Sequence, residues 1–119
     1  MKKILIIEDD PTLNKAYAEK LAPLYQLIPS TEGETGLTLA IGEHPDLIIL
    51  DLILPGLDSG INVLGKLKHH TETKNIPVVV ITNIDNQGAL ARELGAVDYL
   101  IKANIDMNEV IRIVNKYIA

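Results

Sequence analysis

The sequence predicts an α/β fold in which five helices wind doubly around a five-stranded parallel sheet. Three observations carry that prediction. Short apolar runs recur along the chain without polar alternation, amphipathic stretches lie between them, and chemistry-bearing polar residues follow the runs. Continuous apolar runs of strand length suit strands covered on both faces, which is what a parallel sheet flanked by helices requires.

Residues 4–7, Ile-Leu-Ile-Ile, form the first run, and the stretch 12–24 places Leu13, Ala16, Tyr17, Leu21 and Leu24 on one helical stripe. A weaker strand at 26–28 precedes a weak helical stripe at 34–42. Residues 47–50 form the next run, followed by a helix over 60–70; residues 78–81 form the fourth, followed by a helix over 87–94. The last run, 99–101, leads into the clearest stripe of the chain: Met107, Val110, Ile111, Val114, Tyr117 and Ile118. Glycine or a polar stretch closes each weaker helix. Strand and helix thus alternate five times. Repeated βα units give right-handed crossovers, and such sheets bind ligands at the carboxyl ends of their strands near a topological switch point. No segment reads as a linker, a low-complexity tract or a repeat, so residues 1–119 are expected to form a single domain with no output domain in this chain.

Phe, Trp and Cys are absent and four Tyr supply all the aromatic bulk. The core must therefore be built from Ile, Leu, Val and Ala, and neither a disulfide nor a zinc-thiolate site is available. The formal net charge of -5 opposes a nucleic-acid footprint, which needs clustered Lys and Arg. Acidic residues close the run after Met1-Lys2-Lys3 too early for a signal-peptide core or a membrane span, so the chain is expected to be soluble and cytoplasmic.

The positions just past the strong strands are Glu8-Asp9-Asp10, Asp51, Thr82-Asn83 and Lys102. Two carboxylates about 4 Å apart repel by roughly 4 kcal/mol at an effective dielectric near 20, so converging acids need a counter-ion or must protonate. Three acids face one lysine. A hard divalent cation resolves the conflict, and Mg2+, which keeps several waters and takes one or two carboxylates plus a phosphate, suits the set best; Mn2+ is the expected substitute. The Thr82 hydroxyl and the Lys102 ammonium then supply a hydrogen-bond donor and a positive charge for phosphoryl oxygens. The nucleophile would be a carboxylate, since aspartate forms aspartyl-phosphates, and the turn from Asp51 to Gly56 would present Asp51 at the pocket floor.

These residues also carry a resemblance. Ile7-Glu8-Asp9-Asp10-Pro11, Asp51 followed by Leu54-Pro55-Gly56-Leu57-Asp58, Thr82, and Tyr99-Leu100-Ile101-Lys102 stand in the order found in response-regulator receiver domains, and the chain resembles that family over essentially its whole length. The resemblance implies a flavodoxin-like sheet of strand order 2-1-3-4-5 and a switch of two-component signal transduction, not a turnover enzyme. Asp51 would accept a phosphoryl group from a sensor histidine kinase or histidine phosphotransfer protein. Asp9, Asp51 and the Ile53 backbone carbonyl would bind Mg2+, which Glu8 would reach through water. Lys102 would pair with the phosphoryl oxygens, Thr82 would swing toward them, and Tyr99 would change rotamer. The output would be docking of an effector protein, with the face of Tyr99, Asp98 and Arg112 as the expected surface, on a monomer or weak dimer.

Other polar residues have plainer roles. Asp10 before Pro11 is expected to cap a helix, and Asp58, among Pro55, Gly56, Ser59 and Gly60, to serve a turn or cap outside the site. His44, His69 and His70 suit solvated helix C-termini. Gly33 suits a turn, because residues 33–36 lack the spacing of a phosphate loop.

The chain departs from receivers at Ala103, where proline usually follows the lysine. It departs again at Asn83, where a small residue usually follows the threonine and where an amide is expected to narrow water access. The stretch between Thr82 and Lys102 is slightly short. Ile53 and Ile84, two positions past Asp51 and Thr82, are apolar, and slow self-dephosphorylation is the expectation. A phosphohydrolase of the haloacid-dehalogenase type would also gather acids, a threonine and a lysine around Mg2+, but it needs an aspartate nucleophile directly after the first strand, where this chain has Glu8. A receiver reduced to a protein-binding module is the third reading, opposed by the full set of Glu8, Asp9, Asp51, Thr82 and Lys102.

Overall fold

The computed structural model describes residues 1–118, and all ten expected elements are present in it. They are β1 (Lys3–Ile7), α1 (Pro11–Leu21), β2 (Gln26–Ser30), α2 (Gly33–Glu43), β3 (Leu47–Leu50), α3 (Gly60–His69), β4 (Val78–Thr82), α4 (Gly88–Glu93), β5 (Asp98–Ile101) and α5 (Met107–Ile118), with a 3-10 turn at Lys102–Asn104. The strands pair in the order β2-β1-β3-β4-β5, all parallel. Ile4 lies opposite Leu27 and Leu47, Ile49 opposite Val79, and Ile81 opposite Leu100.

Two cores explain why the apolar runs do not alternate. Successive strand residues point to opposite faces, and here both faces are covered. Leu5, Ile7, Ile48, Leu50, Val78 and Val80 meet Ala40 of α2, Val63, Leu64 and Leu67 of α3 and Ala91 of α4. Ile4, Ile6, Leu47, Ile49, Val79 and Ile81 meet Tyr17 and Leu21 of α1 and Val110, Val114 and Ile118 of α5.

Element boundaries shift where a local group overrides the stripe. α1 stops at Leu21 rather than at 24, because Pro23 has no N–H with which to continue the helix. Leu24 is accordingly off the buried stripe, at 50% exposure. β2 runs two residues past its expected end and takes in Pro29, which an edge strand tolerates. α2 passes Gly42 and closes at His44, whose φ of 49° puts a non-glycine residue in the left-handed region at the C-cap.

Gly33 is not a turn residue. It opens α2, and a Cβ there would fall 2.6 Å from Val63 Cγ2, so its hydrogen lets α2 lie close on α3. Asp10 caps α1 by accepting the Thr12 N–H at 2.9 Å, with Pro11 opening the helix. Asp58 does not cap α3. Ser59 does, through the Asn62 N–H, while Asp58 pairs with Lys66 at 2.8 Å. His44, His69 and His70 are exposed at helix C-termini. Among the described residues no helix is long and apolar enough to cross a membrane.

Candidate functional site

From β1 the chain crosses to β2 on one side of the sheet and then to β3 on the other, so the switch point lies between β1 and β3. The loops leaving these strands carry Glu8, Asp9 and Asp51, and β4 ends next to them at Thr82. The sequence order of strands and acids thus converges on one end of the sheet.

Backbone hydrogen bonds orient each group. The Glu8 N–H donates to the Ser30 carbonyl at 2.9 Å and its own carbonyl accepts the Asn14 side-chain amide at 2.8 Å. Its carboxylate is turned inward, 1% exposed, with Oε2 accepting the Asp10 N–H at 3.0 Å. The Asp51 N–H donates to the Ile7 carbonyl at 3.0 Å, and Asp51 Oδ1 accepts the Ile53 N–H at 3.1 Å. Gly60 closes this loop: a Cβ there would lie 2.2 Å from Leu52 Cα and 2.6 Å from the Asp51 carbonyl oxygen, so only glycine lets α3 begin against the Asp51 turn.

Lys102 bridges two of the acids. Its Nζ lies 2.6 Å from Asp51 Oδ2 and 2.8 Å from Glu8 Oε1. Burial alone would lower the lysine pKa, but hydrogen bonds to Asp51 and Glu8, with the charge of both, outweigh it and hold the ammonium above the ordinary lysine value. Glu8 responds in the unfavourable sense. Burial raises its pKa, the Lys102 and Asp10 hydrogen bonds offset only part of that, and the Asp51 charge adds to the rise. The partners differ because the Glu8 side chain is the more deeply buried of the two.

Asp9 adds a third carboxylate on the solvent side. One oxygen from each of Glu8, Asp9 and Asp51 lies within 4.8 Å of the others. Three formal negative charges therefore face one ammonium, and the free donors are all oxygen, the set a hard divalent cation takes.

Thr82 is fully buried, and its Oγ1 accepts the Ile84 N–H at 3.4 Å. The Tyr99 hydroxyl donates to the Ile84 carbonyl, and burial raises its pKa. A Cβ on Gly88 would be 3.5 Å from the Tyr99 ring, so α4 begins against that ring. Thr82 and Tyr99 are thus tied to the two ends of one residue. Ile53 and Leu57, 54% and 91% exposed, stand on the loop that follows Asp51. On the neighbouring face Asp98 pairs with Arg92 at 3.6 Å and Arg112 with Glu109 at 3.8 Å.

The structure therefore brings Glu8, Asp9, Asp51, Thr82 and Lys102 to one end of the sheet, with Tyr99 one step away through Ile84. Sequence reasoning missed Asn14, Gly60 and the Ile84 backbone. An asparagine in the first turns of a helix, or a glycine after a serine cap, has no signature that separates it from a solvated or flexible residue, and a backbone bridge has none at all.

The family model described as response regulator receiver domain matches residues 4–115. The response regulator PleD of Caulobacter vibrioides is 37% identical over 103 residues, covering 84% of this chain and 22% of PleD, so the chain spans less than a quarter of that relative. Protein PilH of Pseudomonas aeruginosa is 32% identical over 122 residues, covering 100% of this chain and 99% of PilH. The solved structure of the Mn2+-bound response regulator Rcp1 is 28% identical with a TM-score of 0.80, covering 98% of this chain and 91% of the other. A match of this extent, on a sheet of this strand order, makes the chain a member of the response regulator receiver domains of two-component signalling.

Proposed function

We propose that the chain is a phosphorylation-dependent signalling switch that accepts a phosphoryl group on Asp51 from a sensor histidine kinase or a histidine phosphotransfer protein. The observation that carries this reading is the Lys102 ammonium bridging Asp51 and Glu8 at the open end of the sheet. It sets a positive charge where a phosphoryl group on Asp51 would need one.

An Asp51 oxygen attacks phosphorus, the P–N bond of the phosphohistidine breaks, and its electron pair returns to the imidazole ring. Lys102 follows the phosphoryl oxygens. Thr82, released from the Ile84 N–H, donates its hydroxyl to them. Ile84 also holds the Tyr99 hydroxyl, so movement of Thr82 is felt at Tyr99, and this pair is the two-state element that controls effector binding.

Asp9, Asp51 and the Ile53 carbonyl would hold Mg2+, with Glu8 reaching it through water. The clustered carboxylates support that assignment. When bound, the ion neutralises charge on the phosphoryl oxygens. Mn2+, present in the Rcp1 structure, is the expected substitute. In this reading the chain catalyses its own phosphorylation and slow dephosphorylation without being a turnover enzyme. It works in the cytoplasm as a monomer or weak dimer and makes no contact with nucleic acid or membrane.

The test is incubation with Mg2+ and acetyl phosphate, followed by borohydride trapping and mass spectrometry. Label on Asp51 is expected. Label on Glu8, or no label, would overturn the proposal.

A further inference from the structure

The β4–β5 ladder ends at Thr82 opposite Ile101. Beyond it the chain turns at once into the 3-10 turn Lys102–Asn104, which has no side-chain cap from its own N-cap residue. Amides at the start of a helical turn lack partners within it. One of them, the Ala103 N–H, donates to Asn83 Oδ1 at 3.1 Å, across 20 residues of sequence. A side chain thus continues the sheet's hydrogen bonding by one step and ties the loop after β4 to the loop after β5.

Two departures noted in the sequence become one device. Proline at 103 would have no N–H to give. Alanine supplies the donor and asparagine the acceptor. Asn83 and Ala103 are both exposed, and with Lys102 they line an open hollow of about 320 Å3 whose far wall is the start of α1. Solvent-facing as this loop is, packing on its outer side does little to hold it, which leaves the Asn83 bond as a restraint on the backbone that carries Lys102. The Asn83 amide oxygen thus faces the Ala103 N–H.

We propose that Asn83 is a positioning residue for phosphoryl acceptance that acts through Lys102. Its amide oxygen holds the Ala103 N–H and so fixes the backbone from which the ammonium reaches Asp51 and Glu8. This inference rests on the function proposed above, since it concerns the rate of that reaction.

The experiment uses the whole chain and two readouts. Hydrogen exchange at the Ala103 amide, followed by NMR without any phosphodonor, tests the bond itself. Asn83→Ala should speed that exchange, whereas Asn83→Asp, which keeps an acceptor oxygen, should preserve protection. The rate of Mg2+-dependent labelling by acetyl phosphate tests the consequence. Asn83→Ala should slow it about five-fold, the size expected for loss of one hydrogen bond. In a Lys102→Met background the same substitution should leave the residual rate unchanged, because the group it positions is gone. Unchanged Ala103 exchange, an equal slowing in the Lys102→Met background, or faster labelling in Asn83→Ala would overturn the clamp. Failure of the parent chain to label at all would overturn the proposed function and the clamp's kinetic role with it, while the exchange readout would still report on the bond.

Discussion

Along β1, β3 and β4 nearly every residue is buried, whereas all four residues of β5 are half-buried and α4, packed beside it, is only six residues long. The site divides along the same line. Glu8, Asp51 and Thr82 stand on buried strands or at their ends, while Tyr99 and Lys102 belong to the half-buried side. A close-packed strand cannot shift without opening voids in both cores, but a strand with solvent on one side and a short helix beside it rearranges at lower cost. The contrast separates a close-packed sheet interior, which fixes Glu8, Asp51 and Thr82, from a looser edge that carries Tyr99 and Lys102.

The largest effect is expected on the rigid side, at the proposed acceptor. Asp51→Asn should abolish labelling by acetyl phosphate in the trapping assay while the fold, followed by circular dichroism, persists. Next comes rigidity itself. Leu50→Ala in β3 should cost about 2–5 kcal/mol of unfolding free energy, and Leu100→Ala in β5 less, about 1–2 kcal/mol. Equal losses in urea titrations would break the comparison.

Asp9→Asn should weaken Mg2+ binding about tenfold by calorimetry and raise the melting temperature in EDTA, because one repelling charge leaves the pocket. Unchanged affinity would remove Asp9 from the ligand set.

The pH dependence of the Lys102 bridge sharpens the link between the two sides. The Lys102 pKa is raised above its ordinary 10.5, so its stabilising contribution is complete below that value and is lost as pH rises through the folded-state pKa. In EDTA the stability gap between the parent and Lys102→Met should hold steady from neutral pH and shrink above about pH 10.5. A gap that widens there would contradict the bridge. The smallest effect is expected at Ile84→Glu, where a carboxylate beside the phosphoryl group should help position water and shorten the aspartyl-phosphate lifetime about two- to five-fold. An unchanged half-life in the absence of any phosphatase would dismiss Ile84 as a determinant.

Legibility followed how local the physics was. The apolar runs of β1, β3 and β4 named their strands because burial on both faces leaves no room for polar positions, and α5 was read with its boundaries intact because its stripe runs the length of the helix. Leu24 misled because Pro23 ended the helix before the stripe did, and Gly33 misled because its function is a close approach of α2 to Val63 that no neighbour in sequence announces. At the site, Glu8, Asp9, Asp51 and Lys102 were legible as residues that follow the strands of one parallel sheet. The ties through Ile84 to Thr82 and Tyr99, and from Asn83 to Ala103, were not, because a backbone group looks alike at every position until the fold chooses its partner.

By itself the sequence determined the alternation of strand and helix, the end of the sheet at which polar chemistry collects, and the excess of acid over base there. These follow from composition and period, which act over a few residues at a time. Only the tertiary structure decided that Lys102 bridges Glu8 and Asp51 and leaves Asp9 to solvent, and that the two bridged acids are buried. Those choices depend on distances between strand ends far apart in the chain, and on burial that sets the pKa of each group, quantities that exist only once the sheet has formed.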